Sequence, residues 1–277
     1  MLRTIQVRNG AGALRANLPV YQSNQASALW VKDISGLGPV AANVAITSYP
    51  TGLGGVVQRT SLGDRNIVMR LGMRPNYEAG SNDYSDLRRL AYRYLSPMSV
   101  VNLFFQVGLN DFYNIEGVVE SNEPSIFTKE PEMVVSIRCA DPFFKAPNPT
   151  VISMSTGTPV SSDQFGTGDS GFKLNLLADR SISQVILRNG LQPDIVFYVG
   201  VSQPLGNGDE LEISTVFGSK MARIRRNGTS LFTPALHNIT SGSLDMVVSS
   251  NVSQFEVITG SSGTPFLMEL MRNYVGM

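Results

Sequence analysis

The chain has 277 residues, with 22 Lys and Arg against 22 Asp and Glu, a formal net charge of +0 and one histidine. That balance excludes binding driven by bulk basicity, and 42% hydrophobic residues exclude disorder throughout. The single cysteine, Cys139, excludes an internal disulfide, and 16% charged residues, below the ~25% of ordinary soluble domains, fit a surface partly buried in an assembly.

The opening Met1–Val7 has no apolar segment followed by a cleavage site, and no ~20-residue apolar run could span a bilayer as a helix. These features predict folding in a reducing compartment, with no membrane span. Glycine (26) and proline (15) are scattered, cutting the chain into short runs, as in folds of many strands joined by turns. Gly36-Leu37-Gly38-Pro39 and Gly52-Leu53-Gly54-Gly55 read as turns or flexible loops. Neither precedes a Gly-Lys-Ser/Thr or carries a full nucleotide fingerprint. The stretch from Pro50 to Leu62 reads as a long loop with few packing residues, mobile in a monomer and ordered by an adjacent ring. Ile67, Met69, Leu71 and Met73 then alternate along one strand face.

Between Asn82 and Leu95 the period changes. Leu87, Leu90, Ala91 and Tyr94 fall at i, i+3, i+4 and i+7, one helical stripe. Asn82 or Asp83 is placed to cap it, and Pro97 to stop it. Alternation resumes at Val101, Leu103, Phe105 and Val107, with Val100 and Phe104 making the other face partly apolar. It returns at Met133, Val135, Ile137 and Cys139. Lys145-Ala146-Pro147-Asn148-Pro149 reads as a linker, giving domains 1–146 and 147–277. In the second, Asn189-Gly190 and Asn227-Gly228 predict type I′ hairpin turns. Leu211 and Ile213, then Leu244, Met246 and Val248, then Phe255 and Val257 predict further strand rows.

Catalytic signals are sparse. His237 is the one candidate general base, no Gly-x-Ser-x-Gly elbow is present, and Cys139 reads as a small buried hydrophobe. Glu116 and Glu120 share a strand face by their even spacing, which keeps a two-carboxylate glycosidase in view, but a solvated strand face explains them as well. Arg223 and Arg225 could meet phosphate or pair with Glu210 and Glu212 across a hairpin. No catalytic, cofactor-binding or metal-binding residue is assigned, and no cofactor is expected.

Several pieces in order carry a resemblance. They are Ile34-Ser35-Gly36-Leu37-Gly38-Pro39, Arg65-Asn66-Ile67-Val68-Met69, the helix around Leu87 to Leu95 and Gly117-Val118-Val119. Ser136-Ile137-Arg138-Cys139-Ala140-Asp141-Pro142-Phe143-Phe144 closes the first half. Gly208-Asp209-Glu210-Leu211-Glu212-Ile213-Ser214-Thr215, Gly218-Ser219-Lys220 and Asn227-Gly228 follow in the second. Over nearly its whole length the chain resembles the distal tail proteins of long, non-contractile-tailed bacteriophages. The resemblance implies a mainly β fold, with an N-terminal β-barrel-type tail module flanked by one short helix and a galectin-like or carbohydrate-binding-like β-sandwich. It implies a hexameric ring in the virion's tail tip, made in the host cytoplasm, that joins tail tube to baseplate hub. DNA would pass through its lumen without specific binding. The implied partners are the tube protein, hub or tape-measure-associated tip proteins, and fibre or receptor-binding proteins. A carbohydrate-binding module on a structural scaffold is the alternative. Exposed aromatics would serve it, with Trp30 in the first half and Tyr198 and Phe217, both more easily placed in strands, in the second.

Overall fold

The computed structural model describes residues 1–20, 28–50, 52–75, 83–109, 111–125, 131–251, 254–260 and 262–277. The chain forms two compact units: Met1–Pro147 together with Val275–Met277, and Asn148–Tyr274.

In the first unit, one antiparallel sheet runs in the order β2 (Leu14–Pro19), β1 (Leu2–Asn9), β7 (Val100–Val107), β8 (Asp111–Ser125), β9 (Glu132–Cys139), β6 (Arg65–Met73), β3 (Leu29–Ser35). A short β10 (Phe144–Lys145) adds to β8 at Asn114. Period-two alternation puts Ile5, Val7, Ile67, Met69, Leu71, Val101, Leu103, Phe105, Met133, Val135, Ile137 and Cys139 on one buried face. Helix α1 (Tyr84–Tyr94) contributes Leu87 and Ala91 to the buried interior, and Leu95 just beyond it is buried too. The Asp83 carboxylate accepts from Tyr84 N–H at its start, while Asn82 lies outside the described residues. Leu95 N–H closes on Ala91 O, ending the helix two residues before Pro97.

The expected barrel does not form. The sheet stays open between its edges β2 and β3, which share a single parallel bridge, Val20↔Val31. Parallel neighbours need a crossover of roughly a dozen residues or more, and the direct connection from Pro19 to Leu29 is shorter than that.

The Pro50–Leu62 stretch is not a loop. Gly55–Leu62 is strand β5, paired along its length with β4 (Ala42–Ser48) in a separate two-stranded sheet.

The second unit has two antiparallel sheets around one core. The first runs β11 (Thr150–Ser155), β21 (Pro265–Leu270), β13 (Phe172–Leu177), β16 (Glu210–Ser214), β17 (Met221–Arg225), β18 (Thr233–Pro234). The second runs β12 (Val160–Ser161), β20 (Gln254–Thr259), β14 (Gln184–Arg188), β15 (Ile195–Tyr198), β19 (Ile239–Ser241). Leu174, Leu176, Leu211 and Ile213 from one sheet meet Val185, Leu187, Phe197, Phe255 and Val257 from the other, and Phe172 packs edge-on against Phe255 at 4.9 Å.

Both Asn-Gly hairpins differ from expectation. Type I′ needs positive φ at both central residues, and here only Gly190 (75°) and Gly228 (80°) have it. Asn189 is buried instead, its Oδ1 accepting from Leu191 and Gln192 N–H while Nδ2 donates to Val247 O. Thr229 N–H closes on Arg226 O, the pattern of a type II turn. Leu244, Met246 and Val248 are buried in alternation without belonging to a strand, held by one bridge, Ser170↔Val248.

Candidate assembly surfaces

Three features of the first unit stand out. The first is the β4–β5 arm. Cross-strand register puts Ala42, Val44, Ile46, Val57, Thr60 and Leu62 on one face, and Asn43, Ala45, Thr47, Val56, Arg59 and Ser61 on the other. The first face is apolar, yet Val44 is 50%, Ile46 63%, Val57 54% and Leu62 46% exposed. Arg59 is the arm's single charge. Tyr49 N–H pairs with Gly54 O at the tip, where Gly52 (71°) and Gly54 (77°) take positive φ. An isolated two-stranded hairpin is marginal in water, and amphipathic patterning of this kind is built to be covered.

The second feature is the sheet face opposite the core. Thr4 Oγ1 donates to Gln106 Oε1 at 3.0 Å, and Arg8 donates to Gln6 Oε1 at 2.9 Å while its guanidinium covers Phe104 at 4.1 Å. Further across, the Ser136 hydroxyl lies 2.9 Å from both Asn66 Oδ1 and Glu120 Oε2, and Arg138 pairs with Asp64 at 2.5 Å. Val100 and Val118, opposite each other in register, flank a hollow of about 440 Å³ shared with Asn102, Asn114, Glu116 and Arg138. The face mixes polar and charged groups of both signs with the exposed Val100 and Val118. The partly apolar outer side expected of β7 is reduced to Val100, because Arg8 covers Phe104. Glu116 and Glu120 both lie here, exposed. Val118 stands between them, and Glu120 sits at a register shift, drawn to Ser136 and Arg138.

The third feature is Arg65, 2% exposed and with no carboxylate among its hydrogen-bond partners. Nε donates to Pro142 O at 2.7 Å, Nη1 to Gly36 O and to Gly38 O at 2.6 Å, and Nη2 to Val275 O at 2.7 Å. The Phe144 ring lies 4.4 Å from the guanidinium carbon. Burial pulls the guanidinium pKa below its ordinary value, with Cys139 acting in the opposite direction. Three separate segments quoted for the resemblance thus converge on one side chain. Sequence reasoning did not find this role, since no local pattern marks an arginine whose partners are distant backbone carbonyls.

Cys139 is buried, and burial pushes its thiol up to about 11, with Asp141 and Asp64 adding to that and Arg65 opposing it. It packs as a hydrophobe. His237 is exposed on a short 3-10 turn, Leu236–Asn238. Among the described residues no group of three or more His, Cys, Asp or Glu could hold a metal, and no helix is long and apolar enough to cross a membrane.

In the second unit, Arg223 pairs with Glu212 at 2.6 Å, Arg225 with Glu210, and both arginines stack on Phe232. The ion-pairing alternative for these arginines is therefore the one realised. Phe217 is not in a strand. It stands 94% exposed in the turn after β16, where Ser219 N–H closes on Val216 O. Trp30 lies over Gly72, where an added Cβ would come 2.4 Å from the indole. Tyr198 is 40% exposed.

A two-unit antiparallel-β chain with an open, helix-covered sheet and a projecting arm has a counterpart among solved structures. The SPP1 Dit (gp 19.1) protein, described as a paradigm of the hub adsorption apparatus in phages infecting Gram-positive hosts, superposes with a TM-score of 0.63. The match covers 97% of this chain and 98% of that one at 12% identity, and what it establishes is a shared fold. A chain of the phage P2 baseplate in its activated conformation with calcium matches at 12% identity over 98% of both chains, but its TM-score of 0.41 is too low to build on. No protein-family model matches the sequence, and no curated protein matches it significantly.

Proposed function

We propose that the protein is a structural component of a phage tail tip, a distal tail protein whose copies close into a hexameric ring between tail tube and baseplate hub. The observation that carries this reading is the β4–β5 arm, whose apolar face has no cover within the described chain. A closed ring needs heterologous contacts, one surface of each copy meeting a different surface of the next. An arm that projects its apolar side supplies one half of such a contact. The sheet face's polar groups of both charges suit a channel lining, because a sliding polyanion needs no strong fixed attraction. The second unit would serve as the outer platform for fibre or receptor-binding proteins, with Phe217 as an exposed aromatic anchor. The role is one of geometry rather than bond-making.

The test is electron microscopy of the purified chain beside an Ile46→Asp/Val57→Asp double variant. Wild type is expected to form closed rings seen end-on, and the variant to remain monomeric with unchanged thermal stability. Rings that persist in the double variant would refute the arm's role. A wild type that stays monomeric even with purified tube and hub proteins would refute the ring.

A further inference from the structure

The arm is held at its base by chain that comes after the inserted unit. The loop Gly36–Pro39 precedes β4, and Arg65 follows the arm three residues after Leu62 closes β5. Arg65 reaches back to Gly36 O and Gly38 O, so the two roots of the arm are tied by one side chain. The same guanidinium donates to Val275 O, and Met277 N–H donates to Leu37 O at 3.1 Å. Between them Gly276 runs against the loop so closely that an added Cβ would lie 3.1 Å from Pro39 N. Gly36 is fixed from the other side, with φ +86° and space for no side chain against Asn66 O.

We propose that Val275-Gly276-Met277 is a strap that sets the base of the β4–β5 arm through Arg65, so that the arm is presented for assembly only in chains made beyond the inserted unit. This rests on the reading of the arm as an assembly element. The residues that complete the first unit belong to it spatially but follow Asn148–Tyr274 in the chain. During synthesis N-terminal units fold first. Until the strap arrives, Arg65 is one carbonyl short and the Gly36–Pro39 loop lacks its outer layer. A buried charged donor left without its acceptor is strongly disfavoured, so the base of the arm opens locally while the core behind it stays folded. A chain cut short inside the second unit then cannot enter a ring and spoil it.

The test is hydrogen exchange followed by mass spectrometry on the full chain, on a chain lacking residues 275–277, and on Gly276→Leu, all at concentrations where each is monomeric. Exchange is expected to quicken at least ~10-fold across residues 34–41 and the arm in both variants. Protection in β7 and β9 of the first unit and β13 and β16 of the second is expected to stay as in wild type. Unchanged exchange at residues 34–41 in both variants overturns the proposal. So does loss of protection through β7 and β9, which would make the strap part of the core rather than a setting device. Because the measurement is made on monomers, it separates from the ring question. Rings absent in wild type with a loosened base would refute the ring and leave the strap standing. Rings formed equally by all three chains, with an unchanged base, would refute the strap alone.

Discussion

Asp209 shows how a single side chain can organise one end of the second unit. It is 5% exposed, with Oδ1 accepting from Asn227 N–H at 2.7 Å and Oδ2 from Gly206 N–H at 2.8 Å and Arg226 Nη1 at 2.6 Å. Arg226 in turn donates to Pro204 O and Gln203 O. Burial on its own would raise the carboxyl pKa, but the N–H groups of Asn227 and Gly206 and the Arg226 guanidinium outweigh it, and the net displacement is downward. Glu212 follows the same pattern, its burial outweighed by Lys173 and Arg223. A lowered folded-state pKa means stability that is complete above the unfolded value near 4 and lost as pH falls through the folded one. Denaturant titrations between about pH 6 and 2 should therefore show an acid-side loss of stability in wild type. Asp209→Asn should flatten that loss, at a cost of about 2 kcal/mol near neutrality. An acid limb of the same steepness in both proteins would assign it elsewhere. In sequence, Asp209 and the Asn227-Gly228 turn lie in separate segments. Their joining by one carboxylate is a long-range fact with no local signal.

At the scale of elements, what was legible followed from period. β6, β7 and β9 carry unbroken alternation, and α1 carries a stripe with a cap, so both were read from residues alone. The arm was misread because Gly52, Gly54 and Gly55 dominate its tip and its alternating residues serve no core of their own. The Leu244, Met246 and Val248 row erred in the opposite sense. Burial alternates there, but a bridge and side-chain bonds replace a ladder. Close packing between strands also depends on positions without side chains. A Cβ on Gly117 would sit 2.7 Å from Ile137 Cγ2 and 2.8 Å from Cys139 Sγ. Gly117→Ala should therefore destabilise the first unit by about 1–3 kcal/mol in urea unfolding, as overpacking does. A change under about 0.5 kcal/mol would mean that β8 and β9 yield more easily than their register implies.

Among the described residues, each unit buries a hydrophobic core of its own. Two cores of this kind need not melt together. Leu174→Ala, in the middle of β13 with no exposure, should cost about 2–5 kcal/mol. In calorimetry it should lower one of two transitions and leave the other in place, and a single transition shifted as a whole would show the units to be energetically fused. Mainly-β composition could be argued from sequence. The return of Val275–Met277 to the first unit could not, because three residues carry no pattern of their own. The carbonyls of Pro142 and Val275 are gripped by the same guanidinium, so the strands of chain that leave and re-enter the first unit are neighbours. A short bridging loop could stand in for everything from Asn148 to Tyr274, and so could a foreign module with its own ends close together. The second unit is in that sense a replaceable cassette, exchangeable by grafting without retuning the scaffold that carries it.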